Sequence, residues 1–340
     1  MKLTFEQIKS AAWGAVRVEE ENGNIRFCRF TKEQQDIYEG YNKDFHNKTF
    51  ATAGVKLVFK TNSKNLTFKA ALSKSIRGSS RAYYSFDVFA DGKMIGSINN
   101  HENVDIPDNY ASIVLQFDKA EKTFDLGDGE KTVKIYFPWS MCAILEEISI
   151  DDGASFDPIK PAKKLIAFGD SITHGYDALY SSNRYPAKLA EALDAEEINK
   201  GIGGEIFFPS LAESADDFAP DYITVAYGTN DWSHRNKEEF IKNCRAFYAA
   251  LSKNYPDTKI FAITPIWRKD CGEMRDFGKF EDIEKCIAEC VADFENVTLI
   301  RGFDLVPKDS EYFADLRLHP NDKGFDYYYK NLLAEIKKHL

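Results

Sequence analysis

The hydrophobic period of this 340-residue chain changes once, across a short polar stretch, and that change confines it to a two-part architecture. Ahead of Asp151 the apolar residues alternate. Val55-Leu57-Phe59, Leu66-Phe68-Ala70, Tyr84-Phe86-Val88 and Val133-Ile135-Phe137 each put every second side chain on one face, as a half-buried strand does. Asp91-Gly92 and Asp128-Gly129 add hairpin-turn signals. Together they predict an all-β, jelly-roll-like sandwich over residues 1–155. From Asp151 to Lys164 the chain carries two prolines, turn residues and charges, the composition of an exposed linker. Beyond it, short apolar runs at Leu165–Phe168, Glu196–Asn199, Tyr222–Tyr227, Lys259–Thr264 and Val297–Ile300 alternate with helical stretches. That alternation predicts an α/β domain over residues 156–340, its parallel sheet covered on both faces.

Composition narrows the partners. A net charge of −10 and a pI near 5.3 argue against nucleic acid and anionic membrane surfaces, both of which favour a basic face. Met1-Lys2-Leu3-Thr4-Phe5-Glu6-Gln7 has no apolar signal core and no run is long enough to span a bilayer, so the expected compartment is the cytoplasm. The six cysteines lack metal-ligand spacing and read as buried thiols, with Cys286 and Cys290 on the same helix face as Ile283, Ile287 and Val291. No metal constellation or nucleotide loop is present, so neither a metal nor a cofactor is expected.

Gly169-Asp170-Ser171 follows the apolar run ending at Phe168, which sets an exposed serine where a buried strand ends and a helix begins. A hydroxyl there lies beside the free N–H groups of a helix start, the setting that nucleophilic acyl chemistry needs for its developing oxyanion. Three stretches accompany it in order. Asn199-Lys200-Gly201-Ile202-Gly203-Gly204 and Gly228-Thr229-Asn230-Asp231 each follow a strand, and His319-Pro320-Asn321 precedes the last helix.

These four stretches resemble the sequence blocks of the SGNH (GDSL-type) hydrolase family of esterases and lipases. The resemblance spans roughly Lys164 to Leu340 and implies that family's α/β, flavodoxin-like parallel sheet. It makes Ser171 the nucleophile and His319 the base, with Gly204, Asn230 and the Ser171 N–H as oxyanion-hole donors. The family pattern sets an aspartate three residues before the histidine, where this chain has Leu316. Asp315 is one residue early, and a bulge or helical turn is needed to bring its carboxylate to the ring. The alternative is a Ser-His dyad assisted by a carbonyl. Asp322 is assigned to the start of the last helix.

A jelly-roll-like domain ahead of such a catalytic domain resembles the arrangement in acetyl esterases acting on xylan or mannan fragments. The expected substrate is therefore a small-molecule or oligosaccharide ester. Trp232, His174, Trp267 and Trp139 are candidates to contact it, since aromatic faces beside hydrogen-bonding groups suit sugar rings. Two other readings stay open: an acyl-CoA or lysophospholipid (thio)esterase, and a non-catalytic carbohydrate-binding protein with a vestigial catalytic domain.

Overall fold

In a computed structural model, residues 1–75, 83–106 and 119–340 are described. The first half holds two antiparallel layers, one of five strands and one of six, the sixth being Asp157–Pro158 beside Lys56–Thr61. In spatial order, one runs Arg17–Glu21, Asn24–Cys28, Met141–Ile150, Asn65–Lys74, Ala120–Asp125, and the other Ala12–Trp13, Lys56–Thr61, Lys131–Tyr136, Ser85–Ala90, Lys93–Asn99. The chain passes repeatedly from one layer to the other, which makes a β-sandwich. The alternating residues Phe59, Phe68, Phe86, Val88, Val133 and Ile135 are fully buried between the layers.

Asp91-Gly92 forms the expected hairpin: Ala90 pairs with Lys93, and both turn residues take positive φ, 48° and 77°. Asp128-Gly129 does not. Ala120–Asp125 pairs with Asn65–Lys74, while Lys131–Tyr136 pairs with Lys56–Thr61 in the opposite layer, so this turn crosses between sheets. The turn signal was real; packing chose the partners. The 151–164 stretch is also tied down, with Asp157-Pro158 paired to Lys60 and Phe59, and the Asp151 carboxylate accepting from Ser63, Lys64 and Asn65.

The second half is a five-stranded parallel sheet in the order Ala195–Asn199, Lys163–Gly169, Tyr222–Ala226, Lys259–Ile263, Val297–Ile300. Helices Tyr185–Ala192 and Asp322–Lys337 lie on one side, Lys237–Asn254 and Asp282–Val291 on the other. Leu165, Ile166 and Ala167 are completely buried, as a central strand of a two-sided sheet requires. One core cluster runs from the sandwich into the first of these sides, joining Phe68 and Trp139 to Tyr185, Leu189 and Phe325.

The first half is the expected β-sandwich, but it does not consist of strands alone. Helices Phe5–Ala11, Lys32–Tyr41 and Lys43–Thr49 interrupt it, the first two opened by capping boxes, Thr4 with Gln7 and Thr31 with Gln34. Phe30 and Tyr38 join the core on the far side of the catalytic sheet, with Ile166, Phe168 and Phe207. The N-terminal third therefore reaches around to the carboxyl ends of the parallel strands. Among the described residues, no helix is long and apolar enough to cross a membrane.

Candidate active site

Strand Lys163–Gly169 delivers Ser171 to the first position of a four-residue helix, Ser171–His174, capped by the Asp170 carboxylate on the Ile172 N–H at 2.9 Å. Ser171 is only 5 % exposed. Its Oγ lies 2.8 Å from His319 Nε2, and His319 Nδ1 lies 2.9 Å from Asp315 Oδ2. The three side chains thus form one continuous hydrogen-bonded line.

Asp315 reaches the ring through a tight loop. Phe313 bridges Pro320, Ala314 N donates to His319 O at 2.8 Å, and Leu316 takes φ of +56°. One left-handed residue absorbs the extra position between acid and histidine. The other carboxylate oxygen, Oδ1, accepts the N–H groups of Arg317, Leu318 and His319 at 2.9, 2.7 and 3.0 Å. Burial works to raise the Asp315 pKa, but the His319 hydrogen bond and charge and these N–H donors hold it well below the usual carboxylate range. For His319, burial favours the neutral ring. The hydrogen bond and charge of Asp315, with the charges of Asp177 and Asp170, outweigh it and raise the pKa above 6.5.

Ile202-Gly203-Gly204-Glu205 is a turn closed by Glu205 N on Ile202 O at 3.0 Å, with Gly204 at φ +86°. A positive φ at the third position is the mark of a type II turn and favours glycine. Neither the Ser171 nor the Gly204 backbone N–H has an acceptor among the described residues. Asn230, in the first turn of helix Thr229–His234, donates from Nδ2 to Glu205 O at 2.9 Å, which fixes its amide plane and leaves its second N–H available. An arrangement of this kind can carry an alkoxide nucleophile, take its proton and bind an oxyanion.

Three of the candidate substrate contacts are corrected by burial. The Trp139 ring is fully buried, with Nε1 on Ala178 O at 2.9 Å. His174 is fully buried too, its Nε2 2.9 Å from Trp139 O, so it pins the sandwich to the catalytic helix and does not line the mouth of the site. Trp232 donates to Gly278 O at 3.0 Å beneath the Arg268 and Arg275 guanidiniums. In each case the indole or imidazole satisfies an interior carbonyl, a role that sequence does not separate from ligand contact. Trp267 differs. It is half-buried against Phe313, at 5.2 Å between ring centroids, on a loop tied to the histidine loop by Lys269 N on Arg317 O at 2.9 Å.

Other residues were not singled out by the sequence. Tyr176 stacks on His319 at 5.8 Å and packs so closely on Gly203 that a Cβ there would lie 2.3 Å from its hydroxyl. Asp177 Oδ2 lies 3.7 Å from His319 Nδ1, a second carboxylate near the ring. Asp322 is, as expected, the first residue of the last helix, whose cap is Asn321, through Gly324 N at 3.0 Å. The Asp322 carboxylate accepts from Leu179 N and Asn183 Nδ2, each at 2.9 Å, and holds the loop after the serine. Behind the glycine turn, Glu205 is completely buried and accepts from the hydroxyls of Tyr38 and Tyr227, and burial pushes its pKa up to about 8 against those hydrogen bonds.

The GDSL-like lipase/acylhydrolase family model matches residues 167–327. No protein of curated function matches by sequence. Among solved structures, the fold is similar to that of the salicylyl-acyltransferase SsfX3 from a tetracycline biosynthetic pathway, at 20% identity and a TM-score of 0.79 over 96% of this chain and 94% of that one. It is similar to a putative GDSL-like lipase from Bacteroides ovatus, at 21% and 0.76 over 99% and 97%. An acetyl xylan esterase, Est2A, from the rumen bacterium Butyrivibrio proteoclasticus matches at 16% and 0.57 over 84% and 89%. The likeness covers sandwich and parallel sheet together. Residues 167–327 therefore match the GDSL-like lipase/acylhydrolase family model, and they lie behind an N-terminal β-sandwich.

Proposed function

We propose that this protein is a serine esterase that removes short acyl groups, acetyl foremost, from carbohydrates such as acetylated oligosaccharides. The observation that carries the reading is the unbroken line from Ser171 Oγ through His319 to Asp315, beside the N–H groups of Ser171 and Gly204, which have no acceptor among the described residues. His319 Nε2 takes the hydroxyl proton as Oγ bonds to the ester carbonyl carbon. The resulting oxyanion is held by the Ser171 and Gly204 N–H groups and Asn230 Nδ2. Collapse breaks the bond to the alkoxy oxygen, His319 returns the proton to it, and the sugar alcohol leaves. Water then attacks the acyl-enzyme through the same base, releasing the carboxylic acid and restoring Ser171. Asp315 keeps the proton on Nδ1 and stabilises the imidazolium.

The sugar assignment draws on the half-buried Trp267 beside the histidine loop and on the sandwich architecture shared with an acetyl xylan esterase. Transfer of the acyl group to an acceptor other than water is a second reading, favoured by the fold-wide likeness to an acyltransferase. Both readings share the acyl-enzyme. A p-nitrophenyl acetate, butyrate and octanoate series, run beside acetylated xylo-oligosaccharides, tests the proposal. Acetate should exceed octanoate by at least about tenfold in kcat/KM, worth about 1.4 kcal/mol. Ser171→Ala and His319→Ala should each remove activity by several orders of magnitude with the fold retained. Octanoate turnover equal to acetate, or a Ser171→Ala enzyme keeping about a tenth of its rate, overturns the reading. Release of acyl product on an added alcohol in preference to water would favour transfer.

A further inference from the structure

The turn that offers the Gly204 N–H is held from outside the catalytic domain. Helix Lys43–Thr49 belongs to the N-terminal third, yet its Lys48 is buried and donates from Nζ to the carbonyl of Gly203 at 2.8 Å. The ammonium also pairs with the carboxylate of Asp44 at 2.6 Å, one helical turn back. Arg29 fixes the same frame. Completely buried, it donates to Lys48 O at 2.8 Å and to Gly201 O at 2.7 Å, joining the lysine's own backbone to the start of the glycine turn. Phe45 of the same helix stands 3.6 Å from where a Gly204 Cβ would be.

Gly203 O and Gly204 N belong to one peptide unit. In a planar trans peptide the C=O and N–H point to opposite sides, so whatever fixes the carbonyl also aims the N–H. This unit is moreover the central peptide of the Ile202–Glu205 turn. Turns of types I and II differ by a flip of that peptide, and two glycines put no side-chain barrier in its way. The flip would turn the Gly204 N–H away from the serine and direct a carbonyl oxygen there instead. A cation on the carbonyl oxygen favours one of the two states and polarises the peptide, making its N–H a stronger donor.

Resting on the proposed acyl-enzyme reading, we infer that Lys48 is a positioning residue for the oxyanion hole. It locks and polarises the Gly203–Gly204 peptide from the N-terminal part of the chain. The N-terminal third is thereby a working part of the catalytic apparatus, in addition to any carbohydrate contact it makes.

The test uses the full chain with p-nitrophenyl acetate and a boronic acid that forms a tetrahedral adduct on Ser171. Removing one oxyanion donor slows comparable enzymes by about 10²–10³ in kcat, and a peptide free to flip loses part of that. Lys48→Met is expected to lower kcat at least tenfold with KM held within about twofold. Boronate affinity should weaken in parallel, and Lys48→Arg should restore most of the rate. A purely structural lysine would not separate kcat from KM or weaken the tetrahedral mimic selectively. Should Lys48→Met not fold, Lys48→Gln, which keeps a donor but no charge, is expected to lower kcat at least threefold at unchanged KM. Wild-type kcat in either folded variant, or equal loss of substrate and boronate binding, overturns the inference. If Ser171→Ala is inactive in the same assay while Lys48→Met is normal, only this inference falls; activity in Ser171→Ala removes the esterase reading itself.

Discussion

Asp315→Asn separates the chemical part of Asp315 from its structural part. The side chain has two jobs on two oxygens: Oδ2 faces His319 Nδ1 at 2.9 Å, and Oδ1 accepts three consecutive backbone N–H groups. Asparagine can keep its carbonyl oxygen on the three N–H groups, which forces its NH2 toward Nδ1. The ring must then accept at Nδ1 and carry its proton on Nε2, so an N–H points at Ser171 Oγ and the base is in the wrong tautomer. The loop should survive, with stability changed by less than about 1 kcal/mol. Catalysis should not: a fall in kcat on the order of 10²–10⁴ is expected, about 3–5 kcal/mol in the barrier. The low end of that range is the more consistent with Asp177, whose Oδ2 lies 3.7 Å from the same nitrogen. Asp315→Ala should differ by also unfolding more easily, by about 2–4 kcal/mol, since the N–H of the buried Leu318 loses its acceptor while water reaches the exposed Arg317. The assay is steady-state hydrolysis of p-nitrophenyl acetate beside urea denaturation of each variant. An Asp315→Asn enzyme within threefold of wild-type kcat would refute the assignment and leave a dyad.

The remaining predictions concern pH and the Arg29 anchor. The acid limb of kcat/KM should have its midpoint above 6.5, because the neighbouring carboxylates outweigh burial at His319, and Asp177→Asn should move it down; a midpoint at or below 6.5 in the wild type contradicts this. Stability should run the other way: His319, its folded pKa raised, contributes most below pH 6.5 and loses that contribution as pH rises through the folded value. Glu205 adds to the trend. Its carboxyl stays protonated in the fold up to about 8, whereas the unfolded chain releases that proton near 4.5, so stability should decline between those values and Glu205→Gln should flatten the profile of Tm against pH. Arg29→Met should cost at least about 3 kcal/mol in urea unfolding, because it strips the carbonyls of Lys48, Ala51, Asn199 and Gly201 of a buried donor; a loss below about 1 kcal/mol would show that they re-pair.

Local patterns were enough to find the strands of the parallel sheet and the catalytic stretches at their ends. Leu165–Phe168 is buried on both sides, so its apolar run is continuous, and a serine just past it falls at the carboxyl edge of the sheet whatever surrounds it. The capping boxes at Thr4 and Thr31 were not read as helix starts, since the alternation from Val55 onward drew the whole first half toward an all-β reading. The partners of Asp128-Gly129, by contrast, lay beyond sequence, because a turn signal marks where the chain bends and not which layer receives it.

The sequence by itself determined which groups the proposed chemistry uses: the serine, the histidine, the glycine turn and an acid within one loop of the histidine. Covalent spacing and strand ends bring those into range. Tertiary structure alone decided what surrounds them. Trp139, His174 and Trp232 look like ligand contacts until the fold gives each ring an interior carbonyl and closes the solvent around it. Leu316 looks like a break in the pattern until a single left-handed residue bends Asp315 onto the ring. Arg29 and Lys48 carry no mark in the sequence of their task at a turn more than 150 residues away, because it comes from hydrogen bonds that exist only once the N-terminal helices have packed against the catalytic sheet.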